Sequence, residues 1–202
     1  MTKDPAYIRN LRAKTRSAPK IEHLEALEKE LYVSGNDRAT VVLFGSFLEE
    51  HLGQLLMSTM RADLNSDEKK QLLEYEGAIG SFSSKIIMAY ALKLIGPITR
   101  FDLNLIRILR NEFAHSRMPF DFSTPEVCAV CDNFKMVDLP GNTLPFGYLN
   151  RVSHGELEAA VDKTNPKTRF ISTCHNISYR MLVKREGPKP GDFVFPDDNP
   201  LP

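Results

Sequence analysis

The sequence holds only three cysteines among its 202 residues, an odd number. The basic residues near its start are followed by no apolar core segment and no small-residue cleavage site, so no secretory signal is read there. Reduced thiols and a cytoplasmic protein are the expectation. No run of about 18 apolar residues occurs, so no membrane span is expected. Net charge is also absent: 26 Lys and Arg balance 26 Asp and Glu. That balance excludes a uniformly basic nucleic-acid coat and a supercharged acidic protein, while leaving room for a local patch. There is no Walker loop, no Rossmann glycine fingerprint, no Gly-x-Ser-x-Gly elbow and no His-Glu-x-x-His pair, so those enzyme classes have no motif support and no cofactor is expected. No internal repeat and no alternating strand pattern is found.

What remains is a length suited to one ordinary domain, with charge unevenly spread along it. Residues 1–20 carry Lys3, Arg9, Arg12, Lys14, Arg16 and Lys20 against Asp4, a local +5, which leaves −5 for the rest. Residues 1–18 are therefore read as a basic arm. It could touch a phosphate backbone or pack on the acidic surface of its own body.

Residues 19–186 follow a helical pattern. Ile21, Leu24, Leu27 and Leu31 repeat at 3-4 spacing until Gly35-Asn36. Val41, Phe44, Leu48, Leu52, Leu55, Leu56 and Met60 form a broad stripe about five turns long. A short charged helix is expected over Asp67–Tyr75. Ser81 stands as N-cap of a helix through Phe82, Ile86, Ala89, Tyr90 and Leu94, ended by Gly96-Pro97. Another helix is expected over Phe101–Ala114, with Leu105, Ile106, Leu109 and Phe113 inward. Thr124-Pro125 should open a short helix over Val127–Phe134. Residues 137–155 read as a loop, and Glu156–Val161 as one helical turn or two. A last helix should span Pro166–Lys184 on an apolar stripe of Phe170, Cys174, Ile177 and Met181. Residues 187–202, with five prolines, read as an extended or disordered tail. The fold class is all-α, a helical bundle with a basic arm and a Pro-rich tail.

Leu105-Ile-Arg-Ile-Leu-Arg-Asn-Glu-Phe-Ala-His-Ser116 is the segment richest in chemistry. At about 100° per residue, Asn104, Arg107, Asn111 and His115 share a stripe opposite the core side. Arg110 and His115 lie roughly 140° apart and cannot meet within one straight helix. Either the helix ends before His115 and the ring folds back, or two copies of the helix meet across a dimer. An Arg facing a His suits a phosphodiester, guanidinium for the charge and imidazole for proton transfer. The plainer reading is a polar face on which His115 interacts with the helix dipole. Cys128 and Cys131 have zinc-like spacing, with Cys174-His175 as further ligand types. Both pairs fall on expected helices, so core cysteines and no metal site are expected. Glu49-Glu50-His51 reads as a solvated face.

Arg110-Asn111-Glu112-Phe113-Ala114-His115 resembles the Arg-to-His motif of the HEPN superfamily of helical domains, many of them dimeric, metal-independent ribonucleases or inactive regulatory relatives. A closer resemblance is to the mannitol operon repressor family. It runs from Ser46-Phe-Leu-Glu-Glu50, through Gly77-Ala-Ile-Gly-Ser-Phe-Ser-Ser-Lys-Ile86 and Tyr90-Ala-Leu92, to Leu105–His115, and covers residues 36–118. It implies an all-helical regulator without a helix-turn-helix, forming a homodimer and acting through a protein partner or through RNA or DNA. The HEPN motif would give Arg110 to phosphate, His115 to proton transfer with an RNA 2′-hydroxyl, and Asn111 to orienting one of them. Nucleic-acid or partner contact would fall to Arg107 and Arg110 with Arg9, Arg12, Lys14 and Arg16 of the arm.

Overall fold

The computed structural model describes residues 18–34, 36–74, 76–139 and 162–186, with positions 5, 6, 8 and 10 of the arm. The arm residues Arg9, Arg12, Lys14 and Arg16, the loop from 140 to 155, the turn at 156–161 and the tail at 187–202 lie outside the described residues. Those described are helical, with no strand among them, so the all-α class stands.

Asn36 accepts the Ala39 N–H at 3.0 Å and starts α2 (Asp37–Thr59), just after α1 (Ile21–Ser34). Helix α2 buries Val41, Phe44, Leu48, Leu52, Leu55 and Leu56, as the stripe foretold, and also Thr40, Gly45, His51 and Gly53. It packs against α4 (Phe82–Ala91) and α5 (Pro97–His115), and against α7 (Pro166–Glu186). The short α3 (Ser66–Leu73) ends two residues before the expected Tyr75. The Ser81 cap is found as expected: its hydroxyl accepts the Ser84 N–H at 3.1 Å in a capping box.

Gly96-Pro97 plays a different part from the one expected. Helix α4 has already stopped at Ala91, and Gly96 and Pro97 are the N-cap and first residue of α5. Pro at the first helical position gives up no helix bond, so it starts this helix instead of ending the previous one. The inner side of α5 holds Leu103, Ile106, Leu109 and Phe113, while Leu105 sits half-buried on its flank.

After α6 (Pro125–Asp132) the chain makes a 3-10 turn, Met136–Asp138, with Met136 and Val137 buried. The expected loop thus begins as packed structure. Its turn is held by Asp102, whose carboxylate accepts the Met136 N–H at 2.7 Å and the Lys135 N–H at 3.1 Å. Arg169 closes the end of α6, donating to the carbonyls of Cys131 and Phe134 and to Asp138. Thr124 does not cap α6 with its side chain; its hydroxyl turns to Asp121.

Helix α7 spans the expected residues and buries more than its expected stripe. The expected stripe is buried, but so are Thr168, Arg169, Ser172, Thr173, His175, Asn176, Ser178 and Arg180. Helices α1, α2, α5 and α6 and the 3-10 turn all contact it, so it is the axis of the bundle. Phe170 meets the rings of Phe44, Phe122 and Phe134 at 5.5 to 6.2 Å between centroids. Buried polar groups on such a helix need partners, and His175 Nδ1 finds Glu28 of α1 at 2.7 Å.

Candidate functional site

The chemistry-bearing side chains gather where α2, α4 and α5 meet. Gly45, Glu49 and Gly53 follow one another at four-residue spacing and so share a face of α2. Gly45 lets the stem of Arg110 cross that face: a Cβ there would stand 2.7 Å from Arg110 Cγ. Glu49 then receives Arg110 Nη2 on Oε2 at 2.6 Å and Lys85 Nζ on Oε1 at 3.1 Å. Its side chain is 18% exposed and that of Lys85 11%. Partial burial strengthens these bonds, and removing one member would strand the others. Arg110 also donates to Asn111 Oδ1 at 3.1 Å.

The expectation of a solvated face at Glu49-Glu50-His51 is corrected for two of its three residues. Glu50 is exposed, but Glu49 is the hub of the ion pairs and His51 is buried. His51 lies tilted against Phe47, with centroids 4.2 Å apart, and among the described residues neither ring nitrogen makes a hydrogen bond of good geometry. Burial, with the charge of Arg185 adding to it, pulls its pKa down to about 3; the nearby Ser178 main chain offsets only part of that fall. The missed signal lies in the flanking glycines and in α4, where Lys85 is the single charge in an otherwise uncharged helix.

The arginine and histidine of the motif are not brought together within the protomer. Helix α5 stays regular through His115, so the ring does not fold back after an early helix end. His115 is exposed and makes no hydrogen bond among the described residues, while Arg110 is turned to α2. A general base needs an orienting partner, and His115 has none here. Arg107 is half-buried, its Nε without a hydrogen-bond partner among the described residues.

A half-open cleft of about 300 Å³ adjoins the ion pairs, lined by Ser46, Glu49, Glu50, Gln54, Met57 and Lys85 together with Gly53 and Leu73. The cysteines lie elsewhere. Burial pushes the Cys131 thiol up to about 12 and raises that of Cys174, and Cys128 donates to the Phe122 carbonyl at 3.1 Å. Cys131 and Cys174 pack in the core as small apolar residues, as expected, while Cys128 is only half-buried. Among the described residues no group of three or more His, Cys, Asp or Glu could hold a metal ion. No helix among them is long and apolar enough to cross a membrane.

Compared with known proteins, the chain matches no family model, no curated protein and no solved structure.

Proposed function

We propose that the chain is a cytoplasmic regulatory protein of the mannitol operon repressor-like type, a homodimer acting by protein contact or by nucleic-acid binding without a helix-turn-helix. One observation carries this reading. The three sequence segments of the resemblance each send one residue into a single ion-pair cluster: Glu49 from the first, Lys85 from the second and Arg110 from the third. Segments distant in sequence that share one cluster have a physical reason to occur together. The same cluster supports a binding protein over a nuclease, because Glu49 already satisfies much of the charge that Arg110 would lend to phosphate. Contact with a nucleic acid or an acidic partner falls to Arg107 and to the arm residues Arg9, Arg12, Lys14 and Arg16.

The alternative is a metal-independent endoribonuclease using Arg110 and His115 across a dimer. It is favoured by the Arg110–Asn111 bond, which presets the guanidinium plane. RNA incubated with the wild type and with His115→Ala at matched purity separates the two. The regulatory reading expects no turnover from either; cleavage by the wild type that His115→Ala abolishes would overturn it. Deletion of the gene should alter expression of neighbouring sugar-transport genes, and unchanged expression with no partner in a pull-down counts against the proposal.

A further inference from the structure

The lining of the cleft beside Lys85 is more specific than its size. Lys85 is nine-tenths buried, yet among the described residues its ammonium meets only one partner, Glu49, leaving two donors for a ligand. Buried donors of a charged group call for an acceptor, and an anionic one serves best. Glu49 also answers only one of the two cations that grip it, so the trio of Glu49, Lys85 and Arg110 carries a net +1. Glu50, in the same lining, brings the opposite sign. Ser46, Glu50 and Gln54 follow at four-residue spacing on one stripe of α2, and none has an ion pair or side-chain hydrogen bond among the described residues. Met57, one turn further on, and Leu73 of α3 give the cleft an apolar end.

We propose that this cleft binds a small zwitterion, an α-amino acid with a short apolar side chain. Its carboxylate sits on Lys85, its ammonium on Glu50 with Gln54 and Ser46, and its side chain against Met57 and Leu73. Each simpler ligand meets a penalty in the same lining. A dianion is repelled by Glu50 and finds only one uncompensated positive charge. A plain amine faces Lys85 with nothing to give its two free donors. An apolar molecule would bury three polar side chains without partners. The volume of about 300 Å³ suits a ligand of this size and falls at the small end of ligand clefts. This inference goes beyond the regulatory reading and stands without it, since it uses only the lining of the cleft.

The test is calorimetric titration of the full-length protein with L-leucine, beside 4-methylpentanoate, which lacks the ammonium, and 3-methylbutylamine, which lacks the carboxylate. L-Leucine should bind and raise the melting temperature, and each analogue should bind about tenfold or more weakly, the loss expected for one charge-assisted bond. Glu50→Gln, an exposed change that leaves the fold alone, should weaken L-leucine about tenfold while leaving 4-methylpentanoate unchanged. Lys85→Met should abolish binding of both. Should Lys85→Met fail to fold, Gln54→Phe, which fills the opening, must abolish binding instead. No heat and no melting shift with L-leucine, L-valine or L-methionine at millimolar concentration would overturn the proposal, as would equal affinity for L-leucine and 3-methylbutylamine. RNA cleavage or its absence has no bearing on these outcomes, so this proposal and the regulatory reading fail separately.

Discussion

A methyl group at Gly45 would lie 2.7 Å from Arg110 Cγ and 2.8 Å from its Cβ. The stem atoms next to the backbone cannot swing aside as a side-chain tip can, so α5 would have to retreat from α2. Gly45→Ala gains about 1 kcal/mol of helix propensity. Overpacking typically costs about 1–3 kcal/mol, and here it also pulls Arg110 away from Glu49. The net expectation is a protein less stable by about 1 kcal/mol or more in urea unfolding. Adding Arg110→Gly, which takes away both Cβ and Cγ, should remove the clash, so the double variant should be more stable than the sum of the single effects foretells; strict additivity would refute the contact. The glycine was visible in the sequence, but its purpose was not. Nothing in the spacing of α2 says which neighbour will cross it, and Glu49 looks like any helix-surface carboxylate until Lys85 and Arg110 arrive from two other helices.

Helix ends were legible where the chemistry is local and misjudged where two signals compete. Ser81 has its partner three residues away, so a sequence shows both halves of that cap. The end of α4 follows a Schellman arrangement that carries no glycine. Lys93 takes a φ of 57°, its N–H reaches the Tyr90 carbonyl at 3.0 Å, and the Leu94 N–H reaches that of Ala89 at 2.9 Å. A lysine in this position hides the signal that glycine would have given, and Gly96-Pro97 drew the boundary four residues too far. The left-handed conformation costs a non-glycine residue about 1 kcal/mol or more. Part of that gain is lost to the freer unfolded chain, so Lys93→Gly should stabilise by about 0.5 kcal/mol. Thermal unfolding of the two proteins side by side checks it, and a lower melting temperature for the variant would show that the lysine side chain holds the turn in some other way.

At the scale of the molecule, the least legible feature was the central helix. Phe170, Cys174, Ile177 and Met181 marked one buried stripe, but burial of the polar remainder depends on how many elements surround α7, which is a tertiary fact. The buried polar groups that result give the fold a pH dependence of two opposed signs. His51 is held neutral, its pKa lowered from 6.5 to about 3 by burial. Between those values the unfolded chain binds a proton that the folded one refuses, so stability is lost as pH falls through that range. Asp102 is the reverse. Burial outweighs its two backbone hydrogen bonds and raises its pKa from 3.8 to about 6. There the folded chain keeps a proton that the unfolded one releases, and stability is lost as pH rises through the window. Unfolding free energies measured across this range for the wild type, His51→Leu and Asp102→Asn should therefore give difference profiles of opposite slope. The advantage of His51→Leu over wild type should grow as pH falls from 6.5, because the leucine removes the proton-binding site from the unfolded chain. That of Asp102→Asn should grow as pH rises from 3.8 to about 6, since the amide carries no charge to bury. Two profiles parallel to wild type would mean that neither group changes its protonation on folding. Opposite slopes would place both titrating groups inside the bundle, one on α2 against the central helix and one on α5 holding the turn after α6.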